Sequence, residues 1–428
     1  MSDVPTNAVG LDGWLAYMES QHPRSIDLGL DRVREVAARL GLGRPAAQVI
    51  TIAGTNGKGS TVAFVESIAR AGGWKVGAYT SPHLLRYNER VRIDGEEASD
   101  EALVAAFLAV EAARGGTSLT YFEYGTLAAL WLFERAALDL AVLEIGLGGR
   151  LDAVNIVDPD VAVVTTVDVD HADWLGSDRE TIGREKAGIA RAWKPLVLGE
   201  VDPPSSVLRH AYAIGANAIR LGSDFFHEPA EDGHWRWRDV GAELLLPAPF
   251  LAAPSQRANA ATAIAALRAL PRSPDDAAYA QGVAAARLAG RLQRFERDGI
   301  EVVVDVAHNP QAARELAAWL RAQPAAGATA AVFAALADKD AAAMVEPLAA
   351  SVSRWHLAGL AENPRGLDVD AFAARLVHAD AVGSASRDVG VAEALERAIA
   401  ASSPGDRVLV FGSFHTAAAA MTALHSGR

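Results

Sequence analysis

The chain has 428 residues, half of them hydrophobic, and its 40 basic against 53 acidic side chains leave a formal net charge of −13. That length implies two domains, or three, and that charge argues against a broad electropositive footprint for nucleic acid or anionic lipid. With no cysteine there is no disulfide framework, thiolate metal site or cysteine nucleophile. Met1 to Gly10 has no basic stretch followed by an apolar run, and the apolar run Ala102 to Val110 is too short to span a bilayer. The expectation is a globular, cytoplasmic, monomeric protein without a membrane or nucleic-acid partner.

Leu30, Val33, Ala37 and Leu40 recur at helical spacing, which predicts an amphipathic helix after Ser25, ending near Gly41 and Gly43. Val49 to Gly54 reads as a buried strand and Gly59 to Ala71 as the helix that follows it. Leu140 to Ile145, Val161 to Thr166 and Pro195 to Leu198 are further apolar runs between helical stretches. Continuous apolar strands of this kind favour a parallel sheet covered on both faces. Val201 to Pro249 is less regular, with short β-like pieces such as Trp235 to Trp237, and reads as an excursion at the sheet's edge. Pro254 to Leu270 looks helical, and the pattern restarts after a boundary near Ala286 to Arg291 with strands Glu301 to Val306, Ala330 to Ala334 and Val408 to Phe411. The predicted fold class is α/β: a mostly parallel, P-loop-containing domain over 1–286, then a smaller Rossmann-like α/β domain over 287–428.

Between the first strand and its helix lies Gly-Thr-Asn-Gly-Lys-Gly-Ser. Glycines let a backbone turn tightly enough to aim N–H groups at phosphate oxygens, and the helix N-terminus adds partial positive charge. Thr55, Asn56, Gly57, Lys58, Gly59 and Ser60 are the candidate nucleotide contacts, with Lys58 bridging the β- and γ-phosphates and Ser60 or Thr61 near a metal. The spacing departs from the standard P-loop because Gly59 separates Lys58 from Ser60. A flexible turn with a surface lysine is the alternative.

A phosphate loop alone suits kinases, motors and switches equally. A second constellation comprises Thr80 to His83, Glu144 to Asp152 and Val169 to Gly176, the last two each following a predicted parallel strand. Open α/β sheets place ligands there, so Ser81, Glu144 and His171 are expected to converge on a divalent cation. Alternatively, His171 orders a loop and Ser81 caps a turn before Pro82.

In chain order, G-T-N-G-K-G-S, S-P-H-L-L-R-Y-N-E-R, L-T-Y-F-E-Y, E-I-G-L-G-G-R-L-D-A-V-N, D-H-A-D-W-L-G, R-E-K-A-G-I, D-V-A-H-N-P and G-S-F-H-T resemble the successive motifs of bacterial dihydrofolate synthase/folylpolyglutamate synthases, in the Mur ligase superfamily. The resemblance runs from about Trp14 to His415. It implies ATP and two magnesium ions, one at the positions matching Ser81, Glu144 and His171, the other near the γ-phosphate with help from a carbamylated lysine matching Lys186. Carbamylation would turn that ammonium into an anionic, carboxylate-like ligand; without the resemblance, Lys186 reads as a surface lysine or a partner of Glu185. Asn259, Arg291 and Asp305 match the adenine and ribose side, so the second domain is expected to close over ATP and glutamate. His308 and Asn309 are expected to cap the next helix or approach the phosphates. For the pterin, the matching positions are Asp27, Leu28, Gly29 and Leu30, then Thr120, Tyr121, Phe122 and Glu123, then Asp152 and Ala153. Phe122 would stack on the heterocycle and Asp152 accept its N–H groups. Core packing around a helix start is the other reading of T-Y-F-E-Y.

The implied chemistry is ATP-dependent amide ligation, with Lys58, His171 and Lys186 as the catalytic set. L-glutamate would be joined to dihydropteroate, and then to the γ-carboxyl of reduced folates, through an acyl phosphate. Competing readings are a monofunctional folylpolyglutamate synthase, a Mur-type peptide ligase, for which the 53 residues before Gly54 leave little room, and a non-catalytic ATP-binding module.

Overall fold

The computed structural model describes residues 10–426, so 1–9, read above for a signal sequence, lie outside it. The chain divides into two compact units, Met1–Phe250 with Gln256–Arg287, and Leu251–Ser255 with Leu288–Arg428.

In the first unit, strands β1 (Gln48–Ala53), β2 (Val76–Tyr79), β3 (Val91–Ile93), β4 (Glu96–Glu97), β5 (Leu140–Glu144), β6 (Val161–Val164), β7 (Pro195–Leu198) and β8 (Asn217–Arg220) form one sheet. Its order is β4-β3-β2-β5-β1-β6-β7-β8. Pairing is parallel from β2 through β8, and β3 and β4 add an antiparallel edge. Every residue of β1 is buried, as a strand covered on both faces requires. Each fully buried valine or isoleucine there contributes about 1.5–3 kcal/mol. The amphipathic helix spans Asp31–Leu40 and ends at left-handed Gly41, whose N–H returns to Ala37 and Ala38 carbonyls. The apolar run at Ala102 lies inside helix Asp100–Arg114, and no helix among the described residues is long and apolar enough to cross a membrane.

Several elements exceed the sequence reading, β3 and β4 among them, and two features matter most. Strand β2 was not predicted: it is four residues long and contains Gly77, where an added Cβ would lie 2.4 Å from Leu138 Cδ1 and 2.9 Å from Phe133 Cδ1. The stretch after Val201 is also more regular than expected. Helix Ser205–Ile214 leads to β8, which extends the main sheet, and β9 (Phe225–Pro229), β10 (Trp235–Asp239) and β11 (Glu243–Leu246) form a separate antiparallel sheet in the order β11-β10-β9. Trp235 and Trp237 are buried while Arg236 between them is exposed. The Trp237 indole donates to the Ala261 carbonyl (3.1 Å) in helix Gln256–Arg268, tying the small sheet down.

The second unit holds β12 (Gln293–Arg297), β13 (Ile300–Val304), β14 (Thr329–Phe333), β15 (Arg354–Ala358), β16 (Ser386–Asp388) and β17 (Arg407–Phe411). Their order is β12-β13-β17-β14-β15-β16, parallel except for β12. Phe333 stacks on Phe411 (4.7 Å between centroids) at the centre of its core. Asn309 caps helix Pro310–Ala322 by accepting from Ala312 N (2.9 Å), one of its two expected roles. The predicted class, a large parallel-rich α/β sheet followed by a second α/β sheet, is the one observed.

Candidate active site

Sheet order explains why motifs far apart in the sequence are delivered to one end of the same sheet. Strands β2, β5, β1 and β6 are consecutive neighbours. Ser81 follows β2, Glu144 ends β5, the glycine-rich loop follows β1, and His171 lies beyond β6. These are C-terminal strand ends, where parallel sheets bind ligands.

The loop from Gly54 to Ser60 is held chiefly by the end of β6. Thr55 N donates to Thr166 O (2.7 Å) and Asn56 N to Thr166 Oγ1 (3.1 Å). Thr165 Oγ1 donates to Asn56 O (2.6 Å), and Thr55 Oγ1 is tied to the Asp168 backbone through both its carbonyl and its N–H (3.0 Å each). Thr55 and Asn56 thus spend their backbone N–H groups on loop ties. The donors suited to phosphate are the first-turn amides of helix Lys58–Ala71, which have no intrahelical partner. Gly54 and Gly57 are required: both have positive φ (156° and 86°), and a Cβ would lie 1.8 Å from Thr165 Oγ1 at Gly54 and 2.5 Å from Asn259 Oδ1 at Gly57. Asn259, buried and bonded to Gln256 Oε1 (3.2 Å), therefore lies against the loop. Lys58 Nζ folds back to the carbonyls of Gly54 (3.0 Å) and Thr55 (3.3 Å).

Ser81 and Glu144 are together: Ser81 N donates to Glu144 Oε2 (3.1 Å), and that carboxylate is buried. His171 is left-handed (φ 51°) at the start of the short helix Ala172–Leu175, with Nε2 3.9 Å from Asp170 Oδ2. Among the described residues, no three histidine, cysteine or carboxylate side chains gather as a metal-binding group. A buried carboxylate beside a serine is nevertheless a hard-donor pair of the kind magnesium or manganese accepts.

Lys186, in helix Arg179–Ala187, is only 3% exposed. It is neither a surface lysine nor a partner of Glu185, which pairs with Arg150 (2.9 Å). Burial, reinforced by the positive charge of Lys58, lowers its pKa to about 7 against the opposing pull of Asp170 and Asp152. Burial thus favours the neutral amine.

The substrate-segment residues are also brought into contact, through one residue the sequence reading missed. Arg32 donates to Asp27 Oδ2 (2.7 Å) and to Glu123 Oε1 (2.9 Å). Gly29 N donates to Leu151 O (3.2 Å), beside Asp152, and Leu30 stands immediately before helix Asp31–Leu40 without a side-chain capping bond. Thr120 and Glu123 form a capping box at the start of helix Tyr121–Arg135. The Phe122 ring lies against Gly146, where a Cβ would come within 2.6 Å of it, while Tyr121 stands edge-on to Tyr87 (5.8 Å). Asp152 accepts from Leu147 N (2.9 Å) and Val154 N (3.0 Å), Ala153 beside it is buried, and burial raises the Asp152 carboxyl to about 7 despite these bonds.

Within the second unit, Asp305 accepts from Leu292 N and Ala307 N (2.8 Å each). Burial raises its pKa against the pull of Arg291, whose guanidinium lies 5.5 Å from the Phe414 ring centre. Besides Arg32, the sequence reading missed the roles of Thr165, Thr166 and Asp168, and of Glu200, which accepts from Val167 N (3.1 Å) and pairs with Arg179 (3.0 Å) behind them. The paired threonines ending the predicted strand were the available signal.

Residues 52–227 match the Mur ligase middle domain, and residues 290–414 match the Mur ligase glutamate ligase domain. The dihydrofolate synthase/folylpolyglutamate synthase of Escherichia coli is 48% identical over 99% of this chain and 98% of its own. The structure of Escherichia coli FolC with DHPP and ADP superposes with a TM-score of 0.93 at 48% identity, covering 99% of this chain and all (100%) of that one. A bifunctional folylpolyglutamate synthase/dihydrofolate synthase with Mn, AMPPNP and L-glutamate bound gives 0.91 at 46% identity over 99% and 100% of the two chains. The chain belongs to the dihydrofolate synthase/folylpolyglutamate synthase family.

Proposed function

We infer that the chain is an ATP-dependent ligase that adds L-glutamate to dihydropteroate, forming dihydrofolate, and to the γ-carboxyl of reduced folates. The observation that carries this reading is the delivery of the phosphate loop, Ser81, Glu144 and His171 to one end of a four-strand parallel segment in a chain of this family.

A carboxylate does not acylate an amine at neutral pH because its oxygen leaves poorly. Transfer of the γ-phosphoryl group of ATP to a carboxylate oxygen gives an acyl phosphate and ADP. The glutamate amine then attacks the acyl carbon, loses a proton, and expels phosphate as the amide forms. We assign Lys58 and the first-turn amides to the developing negative charge on the phosphoryl group. Ser81, Glu144 and His171 would hold a divalent cation. A second would take Lys186 once carbamylated, a modification that the unprotonated fraction of this buried amine favours. When bound, such ions supply charge neutralisation at the phosphates. Asn259, Arg291 and Asp305 are assigned to the nucleoside of ATP, and the segments around Asp27, Phe122 and Asp152 to the pterin. The proposal is of a cytoplasmic monomer without a nucleic-acid partner, in keeping with the net charge of −13.

The test supplies dihydropteroate and tetrahydrofolate separately with ATP, magnesium and glutamate, and follows products by mass. One added glutamate on each acceptor is expected. Addition to one acceptor alone removes the bifunctional reading, and addition to neither removes the ligase reading.

A further inference from the structure

The segments assigned above to the pterin come from distant parts of the chain, yet they are bonded to one another. Arg32 stands in the first turn of helix Asp31–Leu40, immediately after the Asp27–Leu30 loop. Its Nη1 donates to Asp27 Oδ2 (2.7 Å), and its Nη2 donates both to the Asp27 carbonyl (2.7 Å) and to Glu123 Oε1 (2.9 Å), 91 positions away. Its Nε faces Glu123 Oε2 (3.4 Å). The remaining contacts of the two carboxylates are local: Glu123 Oε2 accepts from Thr120 N (2.8 Å), while Asp27 faces His22 (3.4 Å) and Arg24 (3.6 Å).

We infer that Arg32 is a positioning residue for the acceptor. It clamps the Asp27–Leu30 loop to the start of helix Tyr121–Arg135, and Asp27 and Glu123 are its anchors rather than hydrogen-bond partners of the pterin. The inference rests on the assignment of these segments to the pterin. A carboxylate that recognises the N–H edge of a heterocycle has to aim its oxygens at the ligand, whereas both oxygens of Glu123 are engaged within the protein and its side chain is 4% exposed. A forked guanidinium between two carboxylates fixes geometry as well as charge, which a lysine cannot do. The same loop is held from a second side by Gly29 N on Leu151 O. Its conformation is thus set before the acceptor arrives, and the ordering cost is not drawn from binding.

The experiment is steady-state kinetics on the purified full chain for Arg32→Gln, Arg32→Lys, Asp27→Asn and the Arg32→Gln/Asp27→Asn double variant, with Phe122→Ala alongside. Arg32→Gln and Asp27→Asn are expected to raise KM for dihydropteroate about tenfold, the scale of one lost charged hydrogen bond, leaving kcat and KM for ATP unchanged. The double variant is expected to be no worse than Arg32→Gln alone, because one clamp is broken once. Arg32→Lys should recover only part of the loss. Multiplicative losses in the double variant, or a dihydropteroate KM unmoved by Arg32→Gln while Phe122→Ala raises it, would overturn the clamp. A KM unmoved by Phe122→Ala as well would overturn the pterin assignment, and the clamp with it. Should Arg32→Gln not fold, Arg32→Lys with Asp27→Asn completes the same cycle.

Discussion

Around the phosphate loop the ties come largely from backbone and threonine hydroxyls and lie at the end of one neighbouring strand: Thr165, Thr166 and Asp168 hold Thr55 and Asn56. Around the Asp27–Leu30 loop they run mainly through one charged side chain, Arg32, which bonds Asp27 and reaches the Glu123 carboxylate 91 positions away. The first arrangement suits a ligand that is alike in every nucleotide-binding ligase, since phosphates need only backbone N–H groups and a lysine. The second suits an acceptor whose shape the site has to match, because a forked guanidinium fixes the geometry of the segments it joins.

This contrast can be broken by experiment, and the largest effect is expected at Lys58. Lys58→Ala should lower turnover about 1000-fold, as expected for a group acting on the transferring phosphoryl, equally for dihydropteroate and reduced folate. Unequal losses would mean the two regions are not separable. Gly54→Ala, whose Cβ would meet Thr165 Oγ1 at 1.8 Å, should destabilise the first unit by about 3 kcal/mol in denaturant titration.

The support behind the loop carries its own pH signature. Glu200 is raised to about 7, chiefly by burial and against the pull of Arg179. An acid raised in the folded state keeps its proton longer there than in the unfolded chain, so its contribution is full below about 4.5 and is lost as pH rises through 7. Glu200→Gln should remove on the order of 2 kcal/mol of that decline, after allowance for solvent screening. Parallel stability curves for the two proteins between pH 4.5 and 8 would contradict it. The smallest effect is expected on the acceptor side. Gly146→Ala would push the Phe122 ring and should raise KM for dihydropteroate about fivefold, roughly 1 kcal/mol, without moving KM for ATP.

The same contrast decides what could be read from the sequence. The glycine-rich loop was legible because strand, glycines, lysine and helix are contiguous, and its chemistry is backbone chemistry. Glu144 was legible as a carboxylate ending a buried strand. Ser81 was found by its motif alone, because β2 before it is only four residues long and carries Gly77. Arg32 was invisible for a different reason: an arginine in the first turn of an amphipathic helix looks like a solvated charge, and its partner Glu123 looks like half of a capping box, which it also is. Nor did spacing show that Thr55 and Asn56 would spend their N–H groups on Thr166, since that depends on β1 and β6 being neighbours.

Ligation through an activated carboxylate is tested most directly by the fate of one oxygen atom. Dihydropteroate labelled with heavy oxygen in its carboxylate should be incubated with ATP, magnesium, glutamate and the purified chain, and the released phosphate analysed by mass. One heavy oxygen is expected in each phosphate formed with an amide product, because the carboxylate oxygen that attacks the γ-phosphorus leaves with it. Amide product accompanied by unlabelled phosphate would contradict it.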